Sequence, residues 1–330
     1  MVDLQLQLSA FADPRNALQV TPELEDLVDK AREVVADNRS PRTREAYELA
    51  WRTWSSWATK KGVESMPASP TAVALYLVDH EDHYSVSTLV QHLAAIAAVH
   101  QDAGLESPTR TPQVSSVIKG IRRRRGVAPK ETKTPLRVAE LREMVDALDL
   151  DKAIGLRNRA LLLVGFAGAF RRSELVGLDA GDLERVYEGF VVRLRRSKAD
   201  QEAEGRKIGL PLAGRPAYCP VRTLEAWLAF AEIEQGPIFR PIDRHGQVLE
   251  ARLGARSVAR IVKRAGQRIG LEPEKLGGHS LRAGFATEAA RQGASERAIA
   301  RQTGHKSLRV LRGYIREGSL FNDNAAAGLL

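Results

Sequence analysis

Apolar residues recur every three or four positions along most of the chain, the signature of helices with one buried side. Leu24, Leu27, Val28, Ala31, Val34 and Val35 mark a first helix, opened by Thr21, Pro22 and Glu23 as a cap, a first-turn proline and an acidic first turn. A second begins at Ser40-Pro41 and carries Tyr47, Trp51, Trp54 and Ala58 along one side. Pro67 and Pro70 punctuate the pattern. Val73, Leu75, Tyr76 and Leu77 then predict a third helix, and residues 85–103 a fourth through Leu89, Leu93, Ile96, Ala97 and His100. No strand period interrupts this stretch, so residues 21–121 are expected to form an all-helical domain. Residues 1–20 lack periodicity and are expected to be a flexible arm.

Residues 122–136 break the pattern. Four consecutive arginines are followed by Gly126, Pro129 and Pro135 with few apolar residues, which reads as an extended basic linker. The second domain, 137–330, opens with an amphipathic helix over 138–148 and a buried one over 156–168. Between 187 and 212 the period changes to two. Phe190, Val192 and Leu194 alternate with Val191, Arg193 and Arg195, and Lys207, Ile208, Gly209 and Leu210 start a second run, predicting an antiparallel hairpin with 197–205 as its loop. Helical spacing returns at 221–233, 257–270, 280–291, 296–303 and 308–314. The fold expected is therefore mainly α, a helical bundle followed by an α+β domain with a small antiparallel sheet.

Charge narrows the function. The 330 residues carry 50 Lys and Arg against 41 Asp and Glu, a formal +9, which suits a polyanion such as DNA or an anionic membrane surface. The longest apolar run, 160–170, is too short to span a bilayer. The start shows no basic, apolar, small-residue order, so a soluble cytoplasmic protein is expected. Cys219, the one cysteine, fits a reducing compartment and a small buried apolar side chain. His80, Asp82 and His83 stand at helical spacing, but nothing completes a ligand set, so no metal or other cofactor is expected. Trp51, Trp54 and Trp57 read as core packing in preference to a base-stacking surface.

The chemistry lies in separated pairs. Arg171 leaves the buried 161–170 segment with Glu174 three residues on, and His279 and Arg282 repeat that spacing after Gly277-Gly278, where a helix N-terminus can face an anion. Each pair alone is an ordinary cap or ion pair. In combination, Arg-Arg-Ser-Glu-Leu (171–175), Ser-Lys (197–198), His-Ser-Leu-Arg (279–282), Gly-His (304–305) and Tyr314 resemble, in order, the signature of tyrosine recombinases and phage integrases. The first domain resembles the core-binding (SAM-like) bundle of a Cre-like two-domain layout in Ser55-Ser56-Trp57-Ala58, Gln91-His92-Leu93 and residues 100–105. Position 305 is histidine, as in Xer-type members and most integrases, where Cre has tryptophan.

The resemblance implies a site-specific DNA strand transferase in which Tyr314 forms a 3′-phosphotyrosine and exchange passes through a Holliday junction. It implies double-stranded DNA with inverted-repeat sites as partner, a homotetramer on two sites assembled from monomers, and a bacterial, phage or plasmid origin. A type IB topoisomerase, sharing the arginine, lysine and tyrosine chemistry, is the alternative. Guanidinium forks of Arg171 and Arg282 suit the non-bridging oxygens of the pentacoordinate centre. A free phenol titrates at about 10, so it needs a base, and His279 is the candidate. Lys198 is the general acid the family implies, His305 a donor to a phosphate oxygen, and Glu174 an orienting carboxylate. Contacts to DNA are expected from Thr43 and Arg44, from Ser87, Thr88 and Gln91, from Arg122, Arg123 and Arg124, and from Arg256, Arg260 and Lys263. An apolar tail including Leu320, Phe321, Leu329 and Leu330 is implied to dock on a neighbouring protomer.

Overall fold

The computed structural model describes residues 26, 27, 30, 34, 39–126, 133–195, 205–305 and 308–318. The expected arm, most of the first expected helix, Lys198 and the apolar tail lie outside the described residues. The chain divides into two units, Met1–Pro129 and Lys130–Leu330.

The first unit contains helices α1 (Pro41–Lys61), α2 (Pro70–Asp79), α3 (Val86–Asp102) and α4 (Pro112–Arg125). The Ser40, Ser69 and Ser85 hydroxyls cap α1, α2 and α3 by accepting from Thr43, Ala72 and Thr88 backbone N–H groups. The tryptophans are core: Trp54 has no exposed surface and donates Nε1–H to Ser65 O at 3.1 Å, while Trp57 donates to Asp79 Oδ2 at 2.7 Å. Tyr76, Leu77, Leu89, Ile96, Val114 and Ile121 complete the cluster. His80 stacks on the Tyr84 ring with centroids 5.5 Å apart. Among the described residues no group of three or more His, Cys, Asp or Glu could hold a metal.

The arginines expected in a linker are instead the last turn of α4. Val114, Ile118 and Ile121 bury one side of this helix, and cations in a last turn face the negative end of the helix dipole. Arg124 pairs with Glu81 at 2.7 Å and Arg125 donates to Tyr84 O at 3.0 Å, so two of the four are tied to their own unit.

The second unit begins with α5 (Val138–Asp146), α6 (Ala153–Ala167) and α7 (Arg172–Gly177), then a sheet of β1 (Leu183–Val186), β2 (Gly189–Leu194) and β3 (Arg206–Pro211) in that order, antiparallel throughout. Register pairs Leu183 with Val192 and Leu194 with Arg206. Then come α8 (Pro220–Phe230), α9 (Ala255–Arg268), α10 (Gly278–Arg291), α11 (Glu296–Thr303) and α12 (Leu308–Gly318). Leu161, Leu162, Val164, Phe170, Val192, Ile208, Leu210, Trp227, Val262 and Leu281 lie in one buried core. Trp227 donates Nε1–H to Ile238 O at 2.7 Å, and Cys219 is buried and free. A satellite cluster of Ala286, Ala290, Ile299 and Leu311 joins α10, α11 and α12. No helix among the described residues is long and apolar enough to cross a membrane.

Candidate active site

The site begins where α6 stops. Ala169 takes a left-handed φ of 48°, a conformation that costs a side-chain-bearing residue energy and persists only where the surroundings enforce it. That turn releases Arg171 from the core to cap α7. The Arg171 backbone N–H donates to Glu174 Oε2 at 2.8 Å and Nη1 donates to Oε1 at 2.5 Å, with the Glu174 side chain only 1% exposed. At Gly165 an added Cβ would come 2.9 Å from Leu175 and 3.0 Å from Leu281, so the missing side chain lets α6 lie close against α7 and α10.

Helix α10 supplies His279 in its first turn and Arg282 three residues later. Arg282 is 2% exposed and donates Nη1–H to Ala169 O at 2.7 Å; its Nη2 is buried with no hydrogen-bond partner among the described residues. Burial, with Arg171 and Arg206 beside it, pushes its pKa down to about 10 against the opposing pull of Glu174 and Tyr314. Helix α12 packs on α10 through Leu311 and Ile315 and so brings the Tyr314 hydroxyl 2.6 Å from His279 Nε2. The His305 ring stands 6.2 Å from the Tyr314 ring.

Both histidines are held neutral. Partial burial and the guanidiniums of Arg282, Arg171 and Arg172 lower His279, leaving its Nε2 able to accept the phenolic proton. Burial, then Arg282 and Arg171, lower His305 to about 4. The Thr303 hydroxyl lies 2.7 Å from Ile299 O inside α11 and 2.8 Å from His305 Nδ1, so it is placed to hold the ring through that nitrogen. The expected donation to a phosphate oxygen needs a proton on Nε2, which the neutral ring carries when the Thr303 hydroxyl donates to Nδ1.

Arg171, Glu174, His279, Arg282, His305 and Tyr314 thus come together, and Lys198 lies outside the described residues. Two members were not foreseen. Arg206 opens β3 in phase with the buried Ile208 and Leu210, and an arginine on a core-facing period is the signal that reveals it. Thr303, buried in α11, carried none. The expected DNA contacts fall on several helices of the two units. Thr43 and Arg44 lie in the first turn of α1, and Ser87, Thr88 and Gln91 early in α3, all half-buried or exposed. Arg256, Arg260 and Lys263 line the solvent side of α9, opposite buried Val258, Ile261 and Val262.

A phenol 2.6 Å from an imidazole, with the guanidiniums of Arg171 and Arg282 beside it in a mainly helical α+β unit, is an arrangement suited to a DNA strand transferase of the tyrosine type. Residues 134–319 match the phage integrase family. The chain is similar to the integrase/recombinase xerD homolog of Selenomonas ruminantium, 38% identical over 299 residues covering 90% of this chain and 87% of that protein. It is also similar to the recombinase cre of Escherichia phage P1, 24% identical over 303 residues covering 83% and 86%. Its fold resembles that of the XerH site-specific recombinase bound to palindromic difH substrate, with a TM-score of 0.65 at 20% identity over 100% of this chain and 90% of that one. The chain belongs to the phage integrase family and is a tyrosine-type site-specific DNA recombinase.

A pH dependence follows. If His279 is the base, it must be unprotonated, and because burial and the neighbouring guanidiniums lower it from its ordinary value, attack should stay level through neutral pH and decline in acid. The second-order rate of adduct formation at limiting DNA should show an acid limb centred below about 6.5. A limb centred above that value would remove His279 as the base.

Proposed function

We propose that the chain exchanges DNA strands between two inverted-repeat sites through a 3′-phosphotyrosine and a Holliday junction, acting as a tetramer assembled on the DNA. Arg282 carries this reading: among the described residues its buried guanidinium keeps an N–H without a hydrogen-bond partner, close enough to Tyr314 to feel its charge, while the buried carboxylate Glu174 is taken up by Arg171 and Arg206. With Glu174 shared by Arg171 and Arg206, the charge of Arg282 is left uncompensated in a low dielectric, which favours a phosphodiester and still more its pentacoordinate transition state.

The Tyr314 oxygen bonds to phosphorus as its proton passes to His279, and the P–O5′ bond breaks. Lys198 is assigned the proton that the leaving 5′ oxygen takes up. One ester replaces another, so the phosphotyrosine keeps the bond energy until a 5′ hydroxyl of the partner strand attacks, and no nucleotide is consumed. His305 donates to a non-bridging oxygen through Nε2–H. Thr43, Arg44, Ser87, Thr88, Gln91, Arg122, Arg123, Arg256, Arg260 and Lys263 are assigned to the DNA surface, with Arg124 divided between DNA and Glu81. Acting on chromosomal, phage or plasmid DNA, the protein works in the cytoplasm.

The test is a supercoiled plasmid bearing two copies of an inverted repeat from the DNA flanking the gene. Recombinant circles are expected. Relaxed topoisomers without recombinants would instead indicate a type IB topoisomerase-like activity.

A further inference from the structure

Arg206 lies at the start of β3, opposite Leu194, where the sheet meets α7 and α11. Its side chain is 20% exposed and bridges both helices: Nη2 lies 3.4 Å from Glu174 Oε2, and Nη1 donates to Gln302 O at 3.1 Å. Its Nε is buried without a hydrogen-bond partner among the described residues. Arg171 Nη2 reaches the next turn of the same chain end, Gly304 O, at 3.4 Å. Two guanidiniums therefore gather the Gln302 and Gly304 carbonyls at the end of α11, three residues and one residue before His305.

Gly304 shows how tight this arrangement is. It has a left-handed φ of 64°, and a Cβ there would run into the Arg206 guanidinium. Glu174 accepts from the Arg171 main chain, Arg171 Nη1 and Arg206, so removing Arg206 returns the whole carboxylate charge to Arg171.

We propose that Arg206 is a positioning residue for strand cleavage: by bridging Glu174 and the end of α11 it sets Arg171 and His305 against the scissile phosphate without touching DNA itself. This rests on the function proposed above. A lysine ammonium keeps the charge but lacks the planar fork that spans a carboxylate and a carbonyl at once. Loss of the bridge acts on geometry, and a displacement near 1 Å at a reacting centre costs about a hundredfold in rate.

The experiment compares full-length wild type, Arg206→Gln, Arg206→Lys, Glu174→Gln and the Arg206→Gln/Glu174→Gln double variant on one nicked duplex. Single-turnover adduct formation, DNA affinity against salt, and thermal unfolding are measured for each. Arg206→Gln is expected to slow adduct formation about a hundredfold with DNA affinity and its salt slope unchanged. The lysine variant should stay within about tenfold of it, and the double variant should be no slower than Glu174→Gln alone.

Several results overturn the assignment. A wild-type rate in Arg206→Gln, or full recovery in Arg206→Lys, removes the bridge. Weaker DNA binding with a salt slope shallower by about one makes Arg206 a phosphate contact. Multiplying losses in the double variant make it independent of Glu174, and failure of both Arg206 variants to fold makes it a structural strut. If wild type itself forms no adduct, the proposed function fails, which is a different outcome.

Discussion

Tyr314→Phe is expected to keep the fold and DNA affinity while cleavage falls by about a millionfold, the scale seen when a covalent nucleophile is removed. The substitution deletes one hydroxyl. The ring remains beside His305, and the Leu311 and Ile315 packing of α12 on α10 is untouched. What disappears is the oxygen 2.6 Å from His279, the only part of the side chain placed to attack. The half-buried ring makes the stability change small, about 1 kcal/mol or less for a lost hydrogen bond. Denaturing gels on nicked duplexes read the adduct, and gel shifts on the same duplexes read binding. An adduct that persists in Tyr314→Phe would give the nucleophile to another residue.

Arg282→Met is expected to cost about 10³-fold in cleavage, the loss of one preorganised donor to developing charge, or about 4 kcal/mol. Its effect on stability is a contest between two terms. The fold holds this cation against burial that has pushed its pKa to about 10, an opposition on the order of a few kcal/mol. The hydrogen bond from Nη1 to Ala169 O contributes about 1.5–3 kcal/mol in return, and methionine leaves that carbonyl without its donor. These terms nearly cancel, so the unfolding midpoint should move by only a few degrees while cleavage collapses. Such a separation is the mark of a residue kept for chemistry in place of stability. A large fall in thermal stability with cleavage near the wild-type rate would mean that Arg282 is a structural post.

Helices with one continuous apolar side were legible in the sequence because period alone fixes which residues are buried. Trp54, Tyr76 and Leu89 fell into the core of the first unit on that ground. Strand β1 was not legible, since Leu183, Glu184, Arg185 and Val186 do not alternate and the strand buries neither face cleanly. The last turn of α4 was misread because consecutive arginines look like a solvated run, whereas a helix dipole accommodates them.

Within the site, motif order foretold the meeting of Arg171, Glu174, His279, Arg282, His305 and Tyr314. It did not foretell their protonation. The tautomer of His305 depends on a Thr303 hydroxyl that lies within hydrogen-bond reach of both its Nδ1 and Ile299 O, a relation between helical turns that neither period nor motif encodes. The left-handed Ala169 was equally hidden, because its φ is imposed by packing around Phe170 and Arg282 and not by its own side chain.

If Tyr314 takes the phosphate, the chemical identity of the joint between protein and DNA reveals it directly. Wild-type protein is trapped on a nicked duplex, digested, and the peptide carrying nucleotide is sequenced by mass spectrometry. The expected peptide contains Tyr314 esterified to a 3′ phosphate, with a free 5′ hydroxyl on the released strand. Linkage through another residue, linkage to a 5′ phosphate, or tight DNA binding with no covalent peptide at all would contradict it.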